Sequence, residues 1–182
     1  MRKNVKKQLA LRVLSTAALV AMVSSIATAA FAAEYNVKDG SVEIVAKDGV
    51  QSITQWADKD EGTYVTDDKG AIKDREDSNI ILTTKNKDTG ETETTSNTVT
   101  IDAKDGNTAN VTLQDVHIET KSSWNDSGSA PIEIKGNGDT KLELNGNNTV
   151  LSGSKNHAGI EKADVNGTGT LTIKDDVNDD GK

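Results

Sequence analysis

From residue 98 onward, apolar side chains fall at every second position in short runs. "TVTI" at 98–101, "NVTLQDVHI" at 110–118, "PIEI" at 131–134, "KLEL" at 141–144 and "TLTI" at 170–173 share that period. A two-residue period built from β-branched and aliphatic residues predicts short strands with one buried and one solvated face. Between the runs lie "KDGN", "KGNGD", "NGNN" and "NGTG", whose Gly, Asn and Asp suit tight turns. No stretch beyond residue 33 sustains a helical period. Pro131 stands first in its run, where a missing amide hydrogen is tolerated.

The runs also repeat. Val111 and Leu113 map onto Leu142 and Leu144, and these in turn onto Leu171 and Ile173. "APIEIK" at 130–135 maps onto "AGIEKA" at 158–163. A repeat near 30 residues with two or three short strands per unit is what one coil of a parallel β-helix needs. A Greek-key sandwich has strands but no reason to repeat its letters. The expected fold is therefore all-β: a right-handed parallel β-helix, a solenoid with an N-terminal cap, preceded by a cleaved signal peptide. Coils stacked about 4.8 Å apart would place Val111, Leu142 and Leu171 in one inward ladder, and Leu113, Leu144 and Ile173 in another.

Residues 34–97 are less regular. "YNVKDGSVEIV" reads as a pair of opening strands and "NIILTTK" at 79–85 as another strand. "SITQWADKDEGTYVT" fits a strand–turn–strand or a capping element, with Trp56 covering the first coil. "NKDTGETETTSN" at 86–97 is a polar excursion without an apolar anchor. The expected organisation is a signal peptide at 1–32, a cap and irregular first coils at 33–97, and regular coils at 98–182.

The first 32 residues bear on the compartment. "MRKNVKKQLALR" carries five basic and no acidic residues, an apolar stretch follows, and "AFA" at 30–32 supplies a small-x-small pattern. That layout belongs to secretory signal peptides, with cleavage after Ala32; the competing reading is an uncleaved anchor. Losing the leader lowers Lys plus Arg from 21 to 16 while Asp plus Glu stays at 29, so the net charge moves from −8 to −13. Such a surface disfavours nucleic acid and anionic lipid, which need clustered cations, and it attracts divalent ions. The chain has no cysteine, so packing and hydrogen bonds must hold it. Beyond the leader the aromatics are Tyr35, Trp56, Tyr64 and Trp124, few for a sandwich core but enough for an aliphatic ladder.

Candidate chemistry is sparse. Asp176, Asn178 and Asp180 alternate before Gly181, as in the first half of an oxygen-donor calcium loop. The carboxylate that would close such a loop does not follow. An acidic turn between coils and a calcium site completed by further sequence both stay open, and with them Ca2+ as a cofactor. Trp124 in "KSSWNDSGS" is the candidate carbohydrate-binding residue, since a ring in a polar loop can stack on a sugar face; the other reading folds that ring over the coil edge. Lyase chemistry needs a basic proton acceptor beside ligating acids. Beyond the leader the only arginine is Arg75, and His117 and His157 read as an outward and a corner residue. No catalytic residue is assigned.

"LTTKNKDTGETETTSNTVTIDAKDGNTANVTLQDVHIET", followed by "LELNGNNTVLSGSKNHAGIEKADVNGTGTLTIKDD", resembles secreted β-helix proteins of anaerobic Gram-positive bacteria, described as carbohydrate-binding-domain-containing or adhesin-like surface proteins. The phrase "LxLxGxNTV…HAGIEK…GTLTI" carries the likeness, over roughly residues 79–182. The resemblance implies a secreted, extracellular module, attached to a cell surface, that binds polysaccharide or surface glycan, including calcium-assisted binding of acidic plant polysaccharide. It also implies further coils of the same parent protein beyond residue 182. The alternative is a structural stalk segment of a larger adhesin; a polysaccharide lyase ranks third. N-terminal sequencing of the exported chain is expected to begin at Ala33, and a start at Met1 would instead mean a retained anchor.

Overall fold

The computed structural model describes residues 33–121, 128–162 and 167–175. The leader expected at 1–32, Trp124, and the Asp176, Asn178 and Asp180 set lie outside the described residues. What is described is all-β apart from one turn of 3-10 helix at Val37–Asp39.

The chain opens with β1 (Glu34–Asn36), the 3-10 turn and β2 (Ser41–Lys47). It then makes an excursion through β3 (Val50–Asp58), β4 (Thr63–Tyr64), β5 (Thr66–Asp67), β6 (Gly70–Ala71) and β7 (Arg75–Glu76). Three full circuits follow: β8 (Ile80–Thr83), β9 (Thr94–Thr95) and β10 (Val99–Ala103); β11 (Thr108–Gln114), β12 (His117–Glu119) and β13 (Ile132–Lys135); β14 (Asp139–Asn145), β15 (Thr149–Leu151) and β16 (Ile160–Lys162). β17 (Leu171–Asp175) is the last described strand.

Outside the excursion, the strands sort into three sheets. The first runs β1-β8-β11-β14-β17, the second β9-β12-β15, and the third β2-β10-β13-β16, all with parallel neighbours. Each circuit visits the first, second and third sheet in that order, an arrangement consistent with the β-helix-like class. Antiparallel β3 covers the free edge of β2, so the edge that would otherwise present unpaired amides is occupied.

Inward positions form rows along the stack. In the third sheet Val42, Val99 and Ile132 lie in register, as do Ile44, Ile101 and Ile134, all 2% exposed or less. In the first sheet Ile80, Val111 and Leu142 align, and beside them Tyr35, Leu82 and Leu113. Ile118 supplies the second sheet's contribution. Burying each such side chain contributes about 1.5–3 kcal/mol. No rung can gain it alone.

The corner between β11 and β12 shows why the stack turns where it does. Val111 and Leu113 point inward, yet so do Val116 and Ile118, so the alternation slips by one residue at Asp115. Asp115 takes φ 50, the left-handed region that short polar side chains reach with local hydrogen bonds. Its carboxylate accepts from the Asn147 amide at 2.9 Å on the next circuit and pairs with Lys85 at 2.6 Å on the previous one. The Asn148 side chain accepts from the Val116 amide at 2.9 Å. The run "NVTLQDVHI", expected as one strand, is therefore two strands in two sheets.

Both expected first-sheet ladders are corrected at their last rung. Val111 does face Leu142 and Leu113 faces Leu144, but Leu142 faces Ile173 rather than Leu171. Leu171 lies opposite Thr140, and Leu144 lies opposite Asp175. The Thr170 amide and hydroxyl both bond the Asp139 carboxylate at 2.8 Å, which fixes this register. A shift of two residues leaves every side chain on its own face, so letter matching alone could not distinguish the two registers. The third-sheet match of Ile132 to Ile160 and Glu133 to Glu161 is as the sequence predicts.

Burial along a row sets the expected cost of truncation. Ile101, fully buried between Ile44 and Ile134, should lose about 2–5 kcal/mol on substitution by Ala. Ile173, 47% exposed, should lose far less. Urea unfolding of the two variants checks the ranking, and equal losses would mean that the rows do not carry the core.

Candidate functional site

The expected site residues cannot be joined into one centre, since Trp124, Asp176, Asn178 and Asp180 lie outside the described residues. Of the two histidines, His117 is half-buried on the second sheet between Thr94 and Thr149, and His157 Nδ1 lies 2.9 Å from a Glu161 oxygen. Arg75 is committed to Asp67 by a two-pronged ion pair and to the Gly70 and Ala71 carbonyls. Among the described residues no group of three or more His, Asp or Glu is arranged to hold a metal.

The excursion after β2 builds the most differentiated surface. Asp48 and Gly49, with φ 53 and φ 78, make the two-residue turn that returns β3 along β2. Inward Ile53 and Gln55 are buried; Gln55 Nε2 donates to the Asn36 carbonyl at 2.6 Å and the Gly40 carbonyl at 3.1 Å. Alternation then sends Thr54 and Trp56 to the outer face, beside Glu43 and Ser41. β4 folds back so that Tyr64 pairs with Trp56. Their ring centroids are 4.6 Å apart at 34°.

A cleft of about 250 Å³ opens beside this pair, lined by Glu43, Val45, Thr54, Trp56, Tyr64, Lys73 and Asp74. Each ring carries an ammonium: Lys59 Nζ lies 5.9 Å from the Trp56 centroid and Lys73 Nζ 5.0 Å from that of Tyr64. Lys59 is also 3.9 Å from Glu43. Asp74, at φ 46, is held by a reciprocal exchange with Thr54. Its amide donates to the Thr54 hydroxyl at 3.0 Å, and that hydroxyl reaches its carboxylate at 3.4 Å. The Trp56 indole N–H is buried and has no acceptor among the described residues.

A larger depression of about 400 Å³ lies on the outer face of the first sheet, lined in part by Asn110, Thr112, Lys141, Glu143 and Lys174. It presents hydrogen-bonding groups from successive rungs but no ring. All the described aromatic side chains (Tyr35, Trp56 and Tyr64) lie in β1 and in the excursion after β2. Sequence reasoning treated Trp56 as a cap and passed over Tyr64, Lys73 and Asp74. The available signal was two aromatic residues flanking the turn "ADKDEG", in a chain whose other aromatics beyond the leader are Tyr35 and Trp124.

A scan against protein-family models, a search of curated proteins and a search of solved structures each return no match to this chain.

The cleft wall depends on an electrostatic brace. Asp67 in β5 hydrogen-bonds Arg75 in β7, which holds its carboxyl down from 3.8 to about 2. Tyr35 donates to Asp77 at 3.1 Å, and burial, with the Asp77 charge, pushes its hydroxyl up to about 12. A depressed carboxyl stabilises the fold fully above its ordinary range and loses that contribution as pH falls toward its folded value. Between pH 3.8 and about 2 the β5–β6 hairpin should therefore loosen, altering the fluorescence of the nearby Trp56. Asp67→Asn should remove that step from the acid titration; an unchanged step would assign it to other carboxylates.

Proposed function

We propose that this chain is an exported, non-catalytic module of a right-handed parallel β-helix that binds carbohydrate at a cell surface. The observation that carries the reading is the Trp56–Tyr64 pair beside a polar cleft on an excursion that interrupts an otherwise aliphatic repeat. Paired rings offer apolar faces to sugar C–H groups, while Glu43, Thr54 and Asp74 can exchange hydrogen bonds with hydroxyls. The solenoid assignment is supported by the repeated order of the three parallel sheets, and right-handedness by the strong preference of parallel crossovers. Export is supported by the basic, apolar and small-residue sequence of 1–32. The resemblance to adhesin-like surface proteins points the same way. Trp124 is proposed as a second ring contact, and Asp176, Asn178 and Asp180 as ligands for a calcium ion that assists binding.

The alternative is a stalk segment of a larger adhesin. It is favoured by the constant interval along the first sheet, with 31 residues between Ile80 and Val111, Val111 and Leu142, and Leu142 and Ile173. Pull-down on cellulose, chitin, chitosan and pectin, with calcium or with a chelator, separates the two. Retention on at least one polymer is expected, weakened about two- to tenfold by Tyr64→Ala or Trp56→Ala, from roughly 0.5–1.5 kcal/mol per ring contact. Trp124→Ala should weaken it likewise. Circular dichroism checks that each variant folds. Absence of retention on every polymer would favour the stalk, and chelator-insensitive retention would remove the calcium ligands from the proposal.

A further inference from the structure

We propose that the Trp56–Tyr64 cleft selects glycans carrying a protonated amine, such as polymers of glucosamine. The inference rests on the carbohydrate-binding reading and names the ligand class of that same site. Both ring faces already receive ammonium groups, Lys59 at 5.9 Å and Lys73 at 5.0 Å. An aromatic face attracts a cation through its negative quadrupole, and paired rings with nearby acids are the usual receptor for alkylammonium ligands. Here the acids are Glu43 and Asp74, both on the cleft wall.

The two lysines are tethered stand-ins that a ligand can displace. The Lys59 side chain is 62% exposed and Lys73 is exposed, so each can swing into water without leaving a buried charge. Among the described residues Lys73 makes no ion pair, so its ammonium sits over Tyr64 without a carboxylate holding it there. Once both lysines swing out, the cleft presents two carboxylates and two rings. The Thr54 hydroxyl then remains to meet the sugar's hydroxyl groups.

Long-range charge agrees. With Lys plus Arg at 16 and Asp plus Glu at 29 beyond residue 32, the exported chain repels uronate polymers and attracts polycations. The larger depression on the first sheet, with Lys141 and Lys174 on its wall, lacks a ring and does not share this chemistry.

The sign of one substitution distinguishes this from binding of an acidic sugar. Lys73→Ala removes a competitor, so it should tighten binding of an amine-bearing glycan, whereas it would weaken binding of a carboxylated one. The measurement is calorimetric titration with glucosamine, N-acetylglucosamine and galacturonate oligomers. It is run at mildly acidic pH and physiological ionic strength, where charges beyond about 8 Å are screened. The glucosamine oligomer is expected to bind most tightly, with Tyr64→Ala and Glu43→Gln each weakening it about fivefold and Lys73→Ala strengthening it about two- to fivefold. Asp88→Asn, an exposed residue of the 86–90 turn, is the control and should change nothing. Tighter binding of the acetylated or carboxylated oligomer, lost in Tyr64→Ala, would overturn the amine preference and leave carbohydrate binding standing. Glucosamine binding that ignores Tyr64→Ala would be diffuse charge attraction and would overturn it too. No binding of any of the three would overturn the amine preference. If pull-down on the polymers also failed, the carbohydrate reading would fall with it.

Discussion

Everything in this molecule depends on one rung covering the aliphatic lining of the next. Ile44 is buried because Ile101 lies over it, and Ile101 because Ile134 follows. The driving force is ordinary removal of apolar surface from water, but it is delivered along an axis rather than toward a centre. Small aliphatic residues suit such a row because each need only match its neighbours above and below. Polar corners cooperate: Asp115 reaches Lys85 behind it and Asn147 ahead, so turns are cross-linked between circuits as the rows are.

The excursion after β2 is where that economy is broken. It covers an edge, since β3 takes the antiparallel place beside β2 that a further parallel strand would otherwise fill. It also brings in two rings. Tyr35 ends an inner row beside Leu82, whereas Trp56 and Tyr64 on the outer face of β3 and β4 pack against each other with Lys59 and Lys73 over their faces. Edge covering and the paired rings thus share one segment: the strand that shields the first rung aims Gln55 inward and Trp56 outward.

Much of the fold was legible in the sequence because strand period and turn residues are local signals. The Val99, Ile132 and Ile160 strands, and the Val111–Leu142 pairing, follow from them directly. The register of β17 did not, because it was set by Thr170 bonding the Asp139 carboxylate, an interaction across 31 residues that no letter pattern records. The strand Thr94–Thr95 was also missed; it has no apolar inward residue and exists by pairing with His117 and Ile118. The aromatic cleft was half legible. Trp56 and Tyr64 invited notice as rare residues, but their pairing depended on the return of β4, and the roles of Lys73 and Asp74 on a loop closure of about 20 residues with Thr54.

The equal interval along the first sheet has an evolutionary corollary. Removing or duplicating the 31 residues between equivalent positions of two neighbouring first-sheet strands would delete or add one whole storey with that sheet's rows in step, although the third sheet spaces Val99, Ile132 and Ile160 by 33 and 28 residues. A gene for such a chain can lengthen by copying a segment of fixed size, with no fresh invention of interior contacts. The storey carrying Trp56 and Tyr64 cannot be copied so freely, because its outward strand β3 occupies the place where the preceding storey would have to sit.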